Sequence, residues 1–198
     1  MPSRHLAGRV RGIAAICYRD CDEAVGIIQF LEAGNTPQAE MAFEGQGHFP
    51  ILLRKAMMQR LLLSIMRMYD KPGSDRETLC RALEILKHRA VYSSVARNGD
   101  EGRLKAAVAR WELLSRDPAL VTLRNVRDFD VAHTIPSKAH EPRPRNKEFL
   151  CLARETIRLV EDLAAGCGVC SVSLDAAKEI WARRAADYWA RLIKRPSC

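Results

Sequence analysis

The stretch Cys17-Tyr18-Arg19-Asp20-Cys21-Asp22-Glu23-Ala24-Val25-Gly26-Ile27-Ile28-Gln29-Phe30-Leu31 sets Cys17, Cys21, Ala24, Ile28 and Leu31 at alternating spacings of four and three. On a helix of about 3.6 residues per turn those positions fall on one side and form a single apolar stripe. Leu53, Met57, Leu61, Ile65 and Met68 repeat the pattern in a second long segment. Between the two, Gly34, Pro37, Gly45, Gly47 and Pro50 make residues 34 to 50 a punctuated loop.

Downstream the same period recurs, and strand-like alternation is nowhere seen. Pro72 and Gly73 stop the second helix, and Ser74-Asp75-Arg76-Glu77 has the form of a capping box that starts a third, faced by Leu79, Leu83, Leu86 and Ala90. Asn98, with Glu101 three residues on, predicts a further start before Leu104, Val108 and Trp111. Asp117-Pro118 reads as an N-cap followed by a first-turn proline, opening a helix that runs toward His133. Pro136, Pro142 and Pro144 interrupt residues 134 to 147, a basic loop. Phe149, Leu152, Thr156, Leu159 and Leu163 mark a sixth helix, ended by Gly166 and Gly168. Ser173 caps a last one, with Leu174, Ala177, Trp181, Tyr188 and Leu192 inward. The expectation is an all-α, single-domain antiparallel bundle of about seven helices spanning residues 1–198.

The composition, 47% hydrophobic and 28% charged over 198 residues, is that of a folded chain and excludes disorder for most of it. No apolar run approaches the ~18 residues of a membrane span, and residues 1–10 lack the apolar stretch of an export signal. A cytoplasmic protein without membrane contact is expected. The net charge of +8 favours a polyanionic partner, nucleic acid first. Seven cysteines, scattered among apolar patterns, read as reduced thiols. Cys167 and Cys170 form one C-x-x-C without the second pair that a zinc site needs, so neither metal nor cofactor is expected. Phosphate-loop, serine-hydrolase and zinc-protease motifs are absent.

The helix before His133 carries an anomaly. At about 100° per residue, Arg127 falls within about 40° of Leu120, Leu123 and Val131, and Arg124 lies beside the same stripe. Burying an unpaired charge costs several kcal/mol. Such a face therefore calls for a carboxylate partner, a subunit interface, or a cleft that holds an anion; the simplest outcome is an Arg that snorkels to solvent or pairs with Asp128 or Asp130. A second Arg-to-His spacing, Arg81 to His88, has Ala82 after the Arg and no basic loop behind it.

Arg127-Asp128-Phe129-Asp130-Val131-Ala132-His133 resembles the signature of HEPN proteins, all-helical domains in which an Arg and a polar residue precede a His by a few positions. The R-D-x-x-x-A-H form, the basic Pro-containing loop after it, and Leu62-Leu63-Ser64-Ile65-Met66-Arg67-Met68-Tyr69-Asp70 in an earlier helix resemble the abortive-infection, AbiU-type branch. This resemblance implies a metal-independent endoribonuclease that works as a homodimer. Cleavage by the RNA 2′-hydroxyl needs a base and an acid, and two subunits would each supply a His133. Arg127 would stabilise the pentacoordinate phosphate, and Asp128 would orient Arg127 or His133. Arg124, Lys138, Arg143, Arg145 and Lys147 would hold the RNA backbone, and His140 is a second possible acid. An antitoxin or regulatory partner is also implied. Ile135 replaces the Tyr that some relatives carry two positions after the His, so control by modification there is not expected. The alternative is a non-catalytic helical dimer that binds a nucleotide, an anion or a protein through Arg124 and Arg127.

Overall fold

A computed structural model of the chain describes residues 2–36, 48–71, 77–127, 146–170 and 173–193. Among the described residues the secondary structure is entirely helical, in eight helices: α1 (Pro2–Ala33), α2 (Phe49–Met68), α3 (Leu79–Leu86), α4 (Arg89–Ala96), α5 (Glu101–Leu114), α6 (Pro118–Val126), α7 (Asn146–Gly166) and α8 (Leu174–Ile193). No helix among them is long and apolar enough to cross a membrane.

The organising element is α1, whose 32 residues contact α2, α3, α4, α7 and α8. Cys17, Cys21, Ala24, Ile28 and Leu31 are all buried, as the stripe requires, and so are Ala7, Val10, Ile13 and Ile27. The buried sector is wide because neighbours cover α1 on several sides, and a helix so enclosed needs apolar residues beyond one narrow face. Two glycines admit large rings from α8. A Cβ on Gly26 would stand 3.0 Å from the Trp181 ring, and one on Gly34 would stand 2.9 Å from Trp189. The Trp189 indole N–H donates to the Phe30 carbonyl at 3.1 Å.

Polar contacts fix the helix directions. Arg60 pairs with Glu23 at 2.8 Å and Arg67 with Asp20 at 2.5 Å, so α2 runs antiparallel to α1. Arg103 reaches Asp162 at 2.6 Å and Arg110 reaches Glu155 at 2.5 Å, which makes α5 and α7 antiparallel as well. Trp181 donates to Asp22, while Trp189 meets Phe30; α8 therefore runs parallel to α1. Helix α1 thus has an antiparallel neighbour in α2 and a parallel one in α8.

Several boundaries differ from the sequence expectation. The third helix divides in two, so that the described residues hold eight helices where about seven were expected for the chain. Its N-cap is Thr78, whose hydroxyl accepts from the Arg81 N–H at 3.3 Å; Ser74, Asp75 and Arg76 lie outside the described residues. The chain then turns at Lys87 and His88, and α4 begins. A continuous helix would have buried Ala90. The break exposes it and buries the bulkier Val91 and Val95 instead, which removes more apolar surface from water. Pro50 sits in the first turn of α2, where proline costs little, and not in the preceding loop. Asp100 rather than Asn98 caps α5, accepting from the Arg103 N–H at 3.0 Å. On α8 the most buried positions are Leu174, Ala185 and Trp189, with Trp181 and Tyr188 half-buried.

Where α5 begins, it crosses the end of α7 backbone to backbone. A Cβ on Gly99 would fall 2.1 Å from the Gly166 carbonyl oxygen, and one on Gly166 would fall 2.6 Å from the Leu104 nitrogen. Gly168 then turns the chain with φ +67°, a conformation that costs glycine nothing.

Candidate functional site

Helix α6 is built to present its C-terminal end. Asp117 caps it by accepting from the Ala119 N–H at 2.8 Å, Pro118 occupies the first turn, and Leu120 and Leu123 anchor it in the core. Arg124 and Arg127 follow in the last turn and at the C-cap, both half-buried. The expected conflict between charge and an apolar face is resolved by α2. The Arg127 guanidinium donates through Nη1 to Oδ1 of Asp70, and the side chains are only 18% and 17% exposed. Arg124 Nη2 donates to the Tyr69 carbonyl at 3.4 Å. Tyr69 is the C-cap of α2, so both cations meet the negative end of a helix dipole, and Arg127 meets a carboxylate as well.

Tyr69 is itself locked into the core. Its ring stacks on Trp111 of α5 with centroids 5.5 Å apart and planes 12° from parallel. Its hydroxyl lies 2.8 Å from Thr156 Oγ1, and Thr156 spends its own proton on the Leu152 carbonyl at 2.8 Å, so Tyr69 is the donor. Burial pushes the phenol well above its ordinary range, which outweighs the opposite effect of the Thr156 hydrogen bond and keeps that proton in place. Helices α2, α5, α6 and α7 thus converge on two consecutive residues, Tyr69 and Asp70.

Of the residues expected at the site, the structure brings Arg124 and Arg127 together. Lys147 is exposed in the first turn of α7 rather than in the loop, because Pro144 ends two residues before that helix starts and does not forbid a start. Asp128, Asp130, His133, Ile135, Lys138, His140, Arg143 and Arg145 lie outside the described residues. Arg81 pairs with Glu84 at 3.7 Å, and His88 stands exposed at the helix break, not within a helix. Sequence reasoning missed Asp70 as the partner of Arg127. The signal existed: a cation on an apolar face demands a carboxylate, and Tyr69-Asp70 closes the earlier segment just ahead of Pro72.

Among the described residues no group of three His, Cys, Asp or Glu side chains could hold a metal ion. The described cysteines are free thiols. Burial pushes those of Cys17 and Cys167 up to about 12, and that of Cys21 well above its ordinary value, so these three stay protonated at neutral pH.

Comparison with curated proteins and with solved structures gives no significant match. The family model HEPN_AbiU2, described as AbiU2, matches residues 14–188, which takes in most of α1 and every later helix into α8. The chain therefore belongs to the HEPN family of the AbiU2, abortive-infection type.

Proposed function

We propose that this HEPN protein is a metal-independent endoribonuclease, acting in abortive-infection defence as a homodimer whose site combines residues of both subunits. The observation that carries the reading is the placement of Arg124 and Arg127, two half-buried guanidinium groups held side by side at the C-terminal end of α2 immediately before the Asp128 to His133 run. In this reading RNA enters with its scissile phosphate against Arg127. The guanidinium offsets charge as the 2′-oxygen attacks phosphorus and the 5′-oxygen leaves. His133 of one subunit takes the 2′-hydroxyl proton, and the copy in the partner protonates the leaving oxygen. Asp128 orients Arg127 or His133, while Lys138, Arg143, Arg145 and Lys147 carry the flanking phosphates. An antitoxin or other regulatory partner would restrain this activity.

The test is RNA cleavage by the purified protein in excess EDTA, with the termini identified. Wild-type protein should yield 2′,3′-cyclic phosphate ends, and His133→Ala and Arg127→Ala should each lower the rate by roughly 100-fold or more. Equal cleavage by wild type and His133→Ala defeats the reading. Saturable anion binding lost only in Arg127→Ala, without turnover by any protein, would favour the non-catalytic binding module.

A further inference from the structure

We infer that Asp70 is the positioning residue of this site: its carboxylate sets the orientation in which the Arg127 guanidinium meets an RNA phosphate. The inference rests on the nuclease reading and adds to it a residue 57 positions upstream of Arg127, on another helix.

Three observations carry it. The first is burial. Elsewhere on α2, Arg60 and Arg67 pair with Glu23 and Asp20, but those arginines are 59% and 62% exposed, and such pairs are screened and mobile. Arg127 and Asp70 are 18% and 17% exposed, so their pair is held in a lower dielectric and in one geometry. The second is the foundation under Asp70. Its N–H donates to the Arg67 carbonyl at 3.3 Å, and its neighbour Tyr69 is fixed by the Thr156 hydroxyl and the Trp111 ring. A carboxylate on such a base transmits its position to the cation it holds. The third is the second arginine, since Arg124 closes onto the Tyr69 carbonyl while Arg127 meets Asp70, so that each guanidinium group contacts one of two consecutive residues. An arginine left free would lose rotamer entropy each time it engaged a phosphate. One already oriented loses less, which is how pre-organised electrostatic groups accelerate a reaction.

The rival role for Asp70 is a simple staple between α2 and α6, and the experiment separates the two. Asp70→Asn keeps the shape and removes the charge. It should lower kcat by roughly 10- to 100-fold with KM within about twofold of wild type, and Asp70→Glu should recover part of the loss. In 1H–15N spectra the Arg127 Nε–H signal, assigned with Arg127→Lys, should show slowed guanidinium rotation in the wild type. That slowing should vanish in Asp70→Asn and persist in Glu77→Gln, a control at an exposed pair with Arg9. An unchanged kcat with an unmoved Arg127 signal overturns the inference. So does a loss of activity that merely tracks a loss of folded protein in urea. If His133→Ala cleaves as well as wild type, the nuclease reading falls by itself, and the Arg127 signal still decides whether Asp70 fixes the guanidinium.

Discussion

Tyr69 is where the core and the candidate site share one residue. Its phenol donates to Thr156, which retains a second bond to the Leu152 carbonyl, so Tyr69→Phe leaves no buried donor without an acceptor. The expected cost is about 1 kcal/mol of stability, read from urea unfolding, and not the larger penalty of an orphaned group. The buried thiols make a prediction of their own. Burial disfavours the thiolates of Cys17 and Cys167 and pushes both thiols up to about 12, well above their ordinary range. Above pH ~9 the unfolded chain releases these protons and the folded chain does not, so stability should fall as pH rises through that window. Urea midpoints measured from pH 8 to 11 should show the fall, and Cys17→Ala should make it shallower. Below pH ~8 these thiols should contribute no slope. At this scale the sequence disclosed that Arg127 needed a partner but not which one. Asp70 is 57 residues away, and no local pattern links the two.

Helices α5, α6 and α7 show how caps and close crossings set positions that a site depends on. Asp117→Ala removes the one side-chain cap of α6 and should cost about 1 kcal/mol in thermal or urea unfolding. Gly166→Ala should be worse. The new methyl would stand 2.6 Å from a backbone nitrogen of α5, which cannot move aside like a flexible side chain, and a loss of about 3 kcal/mol is expected. These elements were legible to different degrees. Asp117-Pro118 named the start of α6 because cap and proline act locally. The break between α3 and α4 was invisible, since no Gly or Pro marks Lys87-His88 and the turn follows from burying Val91 and Val95 against α1. Apolar periodicity finds helices; it does not report which of two competing faces the rest of the molecule will cover.

For the whole molecule, charge and subunit number are the properties to measure. If RNA is held by its phosphates, log affinity should fall linearly with log salt. Lys147→Ala, at an exposed position, should reduce that slope by about 0.7 while weakening all RNA sequences alike. Sedimentation of the purified protein should give two chains per particle if the site is shared between subunits; a monomer that cleaves RNA would remove the need for a paired His133. The all-helical class was readable from the first segment onward, because one period recurs along nearly the whole chain. The parallel pairing of α1 with α8 was not, for it is decided by Trp181 and Trp189 finding Gly26 and Gly34. That pairing has a consequence during synthesis. Helix α1 needs Trp189, 159 residues beyond its partner Phe30, to complete its enclosure. Nascent chains should therefore stay protease-sensitive until α8 has left the ribosome, and then close together in one late step.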